Sequence, residues 1–76
     1  MTVTLYTPES NRTFETGKIF FPGSQAPFTV LPGHAPIIST LSEGTIRWES
    51  AAGEETLAIR SGVVRVSGDK IEICAE

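Results

Sequence analysis

Seventy-six residues make one domain, residues 1–76, with a formal net charge of −3, 39 % hydrophobic residues and a pI near 5.0. A chain this short buries only about 60 % or slightly more of the surface its unfolded form exposes, so a single thin core is expected, and docking onto a larger partner would ease the shortage. Six cations (Arg12, Lys18, Arg47, Arg60, Arg65 and Lys70) lie scattered among nine acids, which argues against a nucleic-acid surface, and the lone Cys74 rules out an internal disulfide and a cysteine-built zinc site.

The chain opens on Met1-Thr2-Val3-Thr4-Leu5, which has neither a basic start nor a long apolar run. It reads as a strand with Val3 and Leu5 on one face rather than as a targeting peptide. Thr7-Pro8-Glu9-Ser10-Asn11 has turn composition, and Lys18–Phe21 follows as a short, densely apolar strand. Pro22-Gly23-Ser24 is the next turn, and Phe28–Leu31 a second dense strand; both dense strands are expected to be covered on two faces. After the turn Leu41-Ser42-Glu43-Gly44, Thr45–Glu49 alternates cleanly, with Ile46 and Trp48 inward and Arg47 and Glu49 outward. Ala51-Ala52-Gly53-Glu54 is a hairpin tip before Thr56–Arg60, whose Leu57 and Ile59 share a face. Val64 and Val66 flank Arg65 in the next strand. Ser67-Gly68-Asp69-Lys70 has the composition of a two-residue hairpin that needs positive φ at its first central position. Ile71 and Ile73 form the last apolar face, with Cys74 expected beside them as a small buried hydrophobe.

Seven glycines and five prolines leave no helical apolar stripe, and nothing approaches the roughly 20 apolar residues of a membrane span. Short strands separated by turns every 8–12 residues or so indicate an all-β fold, a small β-sandwich or flattened barrel of mostly antiparallel strands. The cysteine usage fits a reducing compartment.

No residue set suggests catalysis. His34, the only histidine, reads as a loop residue serving local hydrogen bonds, and Ser24, Ser39 and Ser61 lack the flanks of a nucleophile turn. Gly17-Lys18 lacks the rest of a phosphate loop, and Glu9, Glu54 and Glu55 read as solvated turn residues. No cofactor or metal is implied. A free-standing β-barrel module binding a peptide or carbohydrate remains the alternative to a structural role, although it would need an exposed aromatic platform or an apolar groove.

The most distinctive stretch is Phe21-Pro22-Gly23-Ser24-Gln25-Ala26-Pro27-Phe28-Thr29-Val30-Leu31-Pro32-Gly33-His34-Ala35-Pro36. Two Pro-Gly pairs bracket a short strand, each suggesting a type II bend with positive φ at glycine, and Pro36 holds Ala35 extended. This stretch resembles the amino-terminal domain of the epsilon subunit of F-type ATP synthases, which carries a Pro-Gly-Ser turn, a short strand and then Leu-Pro-Gly-His-Ala-Pro. Leu41-Ser42-Glu43-Gly44-Thr45-Ile46-Arg47, Ile59-Arg60-Ser61-Gly62 and the final run Ile71–Glu76 are similar to later parts of that domain.

The resemblance implies a sandwich of about ten strands in the rotor of the synthase, packed on gamma and resting on the ring of c subunits. That position is peripheral, on the cytoplasmic face of the bacterial inner membrane, and non-catalytic. Gly23, Ser24, Gln25, Ala26 and Pro27 match the ring-facing loop, and His34, Pro36, Ile38, Ser39 and Thr40 match the gamma side. The family's acidic Glu-Gly-Glu is Gln25-Ala26-Pro27 here, and the second glycine of its Ser-Gly-Gly is Val63. Most members continue into a two-helix hairpin; this sequence stops at Glu76, so no C-terminal helical hairpin is expected in it.

Overall fold

The computed structural model describes residues 1–76 and is all β. Nine strands run in order: β1 Thr2–Tyr6, β2 Asn11–Glu15, β3 Ile19–Phe21, β4 Phe28–Val30, β5 Ile37–Leu41, β6 Gly44–Ser50, β7 Gly53–Ile59, β8 Gly62–Ser67 and β9 Lys70–Ala75. They form two sheets, β2-β1-β9-β8-β5 and β4-β3-β6-β7, facing each other as a sandwich. All neighbours are antiparallel except β1 and β9, which run parallel with Val3 opposite Ile71 and Leu5 opposite Ile73.

Alternation fills the space between the sheets. The larger sheet contributes Val3, Leu5, Leu41, Val64, Val66, Ile71, Ile73 and Ala75, and the smaller one Ile19, Phe21, Val30, Ile46, Trp48 and Ile59. Trp48 is inward, as its strand pattern required, and only 2 % exposed. It stacks on Phe14 at 4.6 Å between centroids. The Arg12 guanidinium lies 5.5 Å from the Trp48 centroid and 5.6 Å from that of Phe14, and a 3.3 Å contact with Glu55 anchors it across the seam between β2 and β7. The charged Arg12 head stays exposed while the group covers aromatic surface.

The turns follow the chemistry of their residues. Gly68 has φ 59° at the first central position of the β8–β9 hairpin, where Ser67 pairs with Lys70. Ser50 pairs with Gly53 around Ala51-Ala52, and Gly53 takes φ 118°. Thr16 is the one buried polar side chain, its Oγ1 2.9 Å from the Lys18 carbonyl oxygen and 2.8 Å from that of Glu49, tying the corner after β2 to β6.

Several expectations need correction. Two strands, β2 and β5, lie where the sequence pattern assigned none. The dense strands are covered on one face only: Phe20 is half-buried, Thr29 is exposed, and Leu31 falls outside β4 and is 51 % exposed. Cys74 is exposed, because β9 alternates and its core positions are Ile71, Ile73 and Ala75. Gly23 does not have positive φ, so the Pro22-Gly23 bend is not the type II turn that its composition suggested.

Candidate functional site

The two Pro-Gly pairs do different jobs. Pro32-Gly33 forms the expected bend: Gly33 has φ 85°, and the His34 N–H donates to the Leu31 carbonyl at 3.1 Å. His34 lies just beyond it, with Nδ1 2.7 Å from the Ala35 carbonyl oxygen. A carbonyl only accepts, so Nδ1 carries the hydrogen, and His34 serves its own loop as the sequence reading expected.

Pro22-Gly23 instead forms a strap along the outer edge of β5. Gly23 pairs with Leu41 in an isolated antiparallel bridge. The Ser24 N–H donates to the Thr40 carbonyl at 3.0 Å, and the Ser42 N–H donates to the Pro22 carbonyl at 2.9 Å. The Ser42 hydroxyl adds a contact to the same carbonyl at 3.2 Å. Glycine is required at position 23 because of space, not dihedral angle. A Cβ there would fall on the Ala26 carbonyl oxygen and 2.9 Å from two carbons of the Phe28 ring.

The strap brings the two predicted patches together. Ser24, Gln25, Ala26 and Pro27 are exposed on the loop beyond it. A shallow groove of about 540 Å³ runs between Gln25, Ala26 and Phe28 on one side and Ile37–Thr40 on the other. Ile38 and Thr40 point outward from the larger sheet, whereas Ser39 points the opposite way and is half-buried. Pro36 is exposed at the start of β5, and His34 sits apart in the second bend.

Register defines a surface that sequence reading missed. Tyr6 lies beside Cys74, Cys74 beside Val63 and Val63 beside Thr40, so one row across the outer face of the larger sheet holds no charge. Tyr6 is 40 % exposed and Val63 44 %. The adjacent row is Thr4, Glu72, Arg65 and Ile38, in which Arg65 and Glu72 approach within 4.0 Å and Ile38 is 74 % exposed. Alternation marks each of these positions as outward, but only the parallel β1–β9 pairing puts Tyr6 in the same row as Val63.

The opposite outer face is different in kind. There Arg47 lies 4.4 Å above the Phe20 ring, between Lys18, Glu49 and Glu54. No group of three or more metal-ligating side chains occurs anywhere in the molecule.

Comparison with known proteins gives a consistent picture. The family described as ATP synthase, Delta/Epsilon chain, beta-sandwich domain matches residues 1–76. An ATP synthase epsilon chain of Rhodobacter capsulatus is 39 % identical over 59 residues, covering 78 % of this chain and 45 % of the relative. One from Desulfitobacterium hafniense is 34 % identical over 76 residues, covering 99 % of this chain and 58 % of the relative. The chain thus spans about half the length of the curated relatives it matches. Among solved structures, a chain of the Tetrahymena thermophila mitochondrial ATP synthase central stalk and c-ring aligns with a TM-score of 0.81 at 20 % identity, over 97 % of this chain and 61 % of that one. A chain of the Euglena gracilis mitochondrial ATP synthase aligns at 0.87 and 19 % identity, over 96 % of this chain and 48 % of that one. At these identities the two structures establish the fold alone.

Proposed function

This chain belongs to the ATP synthase delta/epsilon β-sandwich family, and on that premise we propose that it is a non-catalytic central-stalk domain of an F-type ATP synthase. Its role is to dock on gamma and on the c-ring so that ion-driven rotation of the ring reaches the catalytic head. It works as part of the synthase, peripheral to the membrane on the cytoplasmic side.

The observation that carries this reading is the composite surface around β5. Thr40 continues into the uncharged Tyr6–Cys74–Val63 row, Ile38 stands exposed at the end of the adjacent row, and the loop at Gly23, Ser24, Gln25, Ala26 and Pro27 projects beside them. We assign gamma to the Ile38–Thr40 side, with Ser39, Pro36 and His34 at its margin, and the ring to the loop. A chain with so thin a core gains from covering exposed Ile38, Val63 and Tyr6 with a permanent partner. The loop has no carboxylate between Ser24 and Pro27, so shape and amide hydrogen bonds serve the ring contact rather than charge.

The test is co-elution of this chain with purified gamma and c-ring over a range of salt. Gamma binding is expected to be tight, and ring binding should fall less steeply with ionic strength than that of a relative with an acidic loop. Binding to an oligosaccharide or a peptide with indifference to gamma would replace this reading by that of a free-standing β-barrel module.

A further inference from the structure

We propose that the Gly23 strap makes the loop at residues 24–27 and strand β5 one mechanical unit, so that a protein seated on β5 orders the loop for a second protein. The inference rests on the two-sided docking just described and adds a coupling between the sides. It has three supports. All four loop residues are exposed, so none of their side chains is anchored in the core. The Ser24 N–H to Thr40 carbonyl bond joins the loop to β5 at its first residue, and the Ser42–Pro22 bond closes the same bridge on the other side of Leu41. Strand β5 is itself the edge of its sheet, paired in a ladder with β8 alone.

An edge strand opens locally more readily than a central one, and when β5 opens the strap must lose both bonds. A partner that clamps Ile38 and Thr40 therefore suppresses an opening that would also free Ser24–Pro27. The second partner then meets a loop whose ordering cost has already been met, which is positive cooperativity without a change of mean structure. Gly23 is the positioning residue. A Cβ would displace the Ala26 carbonyl and the Phe28 ring, shifting the loop against the strand while leaving the β5–β8 ladder in place.

Amide hydrogen exchange tests this in the free chain and in the chain saturated with gamma. In the free chain the Ser24 and Ser42 amides should exchange through one common opening, at similar protection. With gamma bound, both should slow together with the β5 amides by about tenfold or more, while the Ala51-Ala52 tip stays unchanged. In Gly23→Ala the β5 amides should still respond to gamma and the Ser24 amide should not. Protection of β5 without protection of Ser24 in the unsubstituted chain would overturn the coupling and leave the docking assignment intact. If gamma leaves β5 unprotected, the docking assignment fails and the coupling fails with it. Should Gly23→Ala not fold, the comparison within the unsubstituted chain still decides.

Discussion

Ile38 offers the sharpest test of the docking surface, because its contributions to folding and to binding separate cleanly. It sits on β5 with 74 % of its surface exposed, between the groove along Gln25, Ala26 and Phe28 and the shallow concavity bounded by Pro36, Arg65 and Ser67. Ile38→Thr keeps the β-branched shape that an extended backbone favours and exchanges an ethyl group for a hydroxyl. Stability should move by no more than about 0.5 kcal/mol, as for other exposed positions. Binding should move more. Two carbons at about 0.8 kcal/mol each, scaled by the 74 % of Ile38 still available to a partner, give about 1.2 kcal/mol, or roughly eightfold in affinity. Calorimetric titration of gamma, with a thermal melt of the same samples, reads both quantities. An unchanged gamma affinity with an unchanged melting temperature would show that Ile38 is not covered in the complex and that the assigned face is wrong.

Other substitutions probe what holds the sandwich together. Gly33→Val should cost about 1–2 kcal/mol in urea unfolding, all of it backbone strain, because φ is +85° and an added Cβ meets nothing within 4 Å. Gly62→Ala should destabilise by a different route: its Cβ would stand 2.7 Å from the Cys74 carbonyl oxygen, so β9 must shift, and loss of exchange protection at Cys74 and Ala75 would mark it. Trp48→Phe should cost less than the roughly 3–5 kcal/mol of a truncation to alanine, since the buried Nε1 has no hydrogen-bond partner and its removal offsets part of the lost packing. Glu55→Gln should cost less than about 1 kcal/mol because both members of its ion pair are nearly half exposed, whereas Arg12→Ala should cost more by also uncovering Phe14 and Trp48. Equal effects from these last two would show that the cation makes no contribution through the aromatic pair.

The central strands were legible because each shows one residue to the core and the next to water. Ile46 and Trp48, Val64 and Val66, and Ile71 and Ile73 all lie where alternation placed them. The edge strands were not legible, for reasons particular to each. In β2 the inward positions include Arg12, whose role as a cover over Phe14 and Trp48 depends on a partner in β7. In β5, Ile37 and Ile38 follow each other directly, and the second is apolar on the outer face, which conceals the Ile37–Ser39–Leu41 inner set. Both glycines of the Pro-Gly pairs proved necessary, but composition cannot distinguish a glycine that needs positive φ from one that needs room. Residue type favours a buried Cys74, but its position between Ile73 and Ala75 in an alternating strand turns it outward.

The parallel pairing of β1 with β9 bears on how the molecule comes into being. Strand β1 leaves the ribosome with only the β2 hairpin for company, and its other neighbour, β9, follows only after the seven strands between them. Such a distant closure slows folding and makes it depend on nearly the whole domain being present. A chain not yet synthesised through β9 therefore cannot assemble the Tyr6–Val63 surface, which comes into existence in one step when β9 closes between β1 and β8.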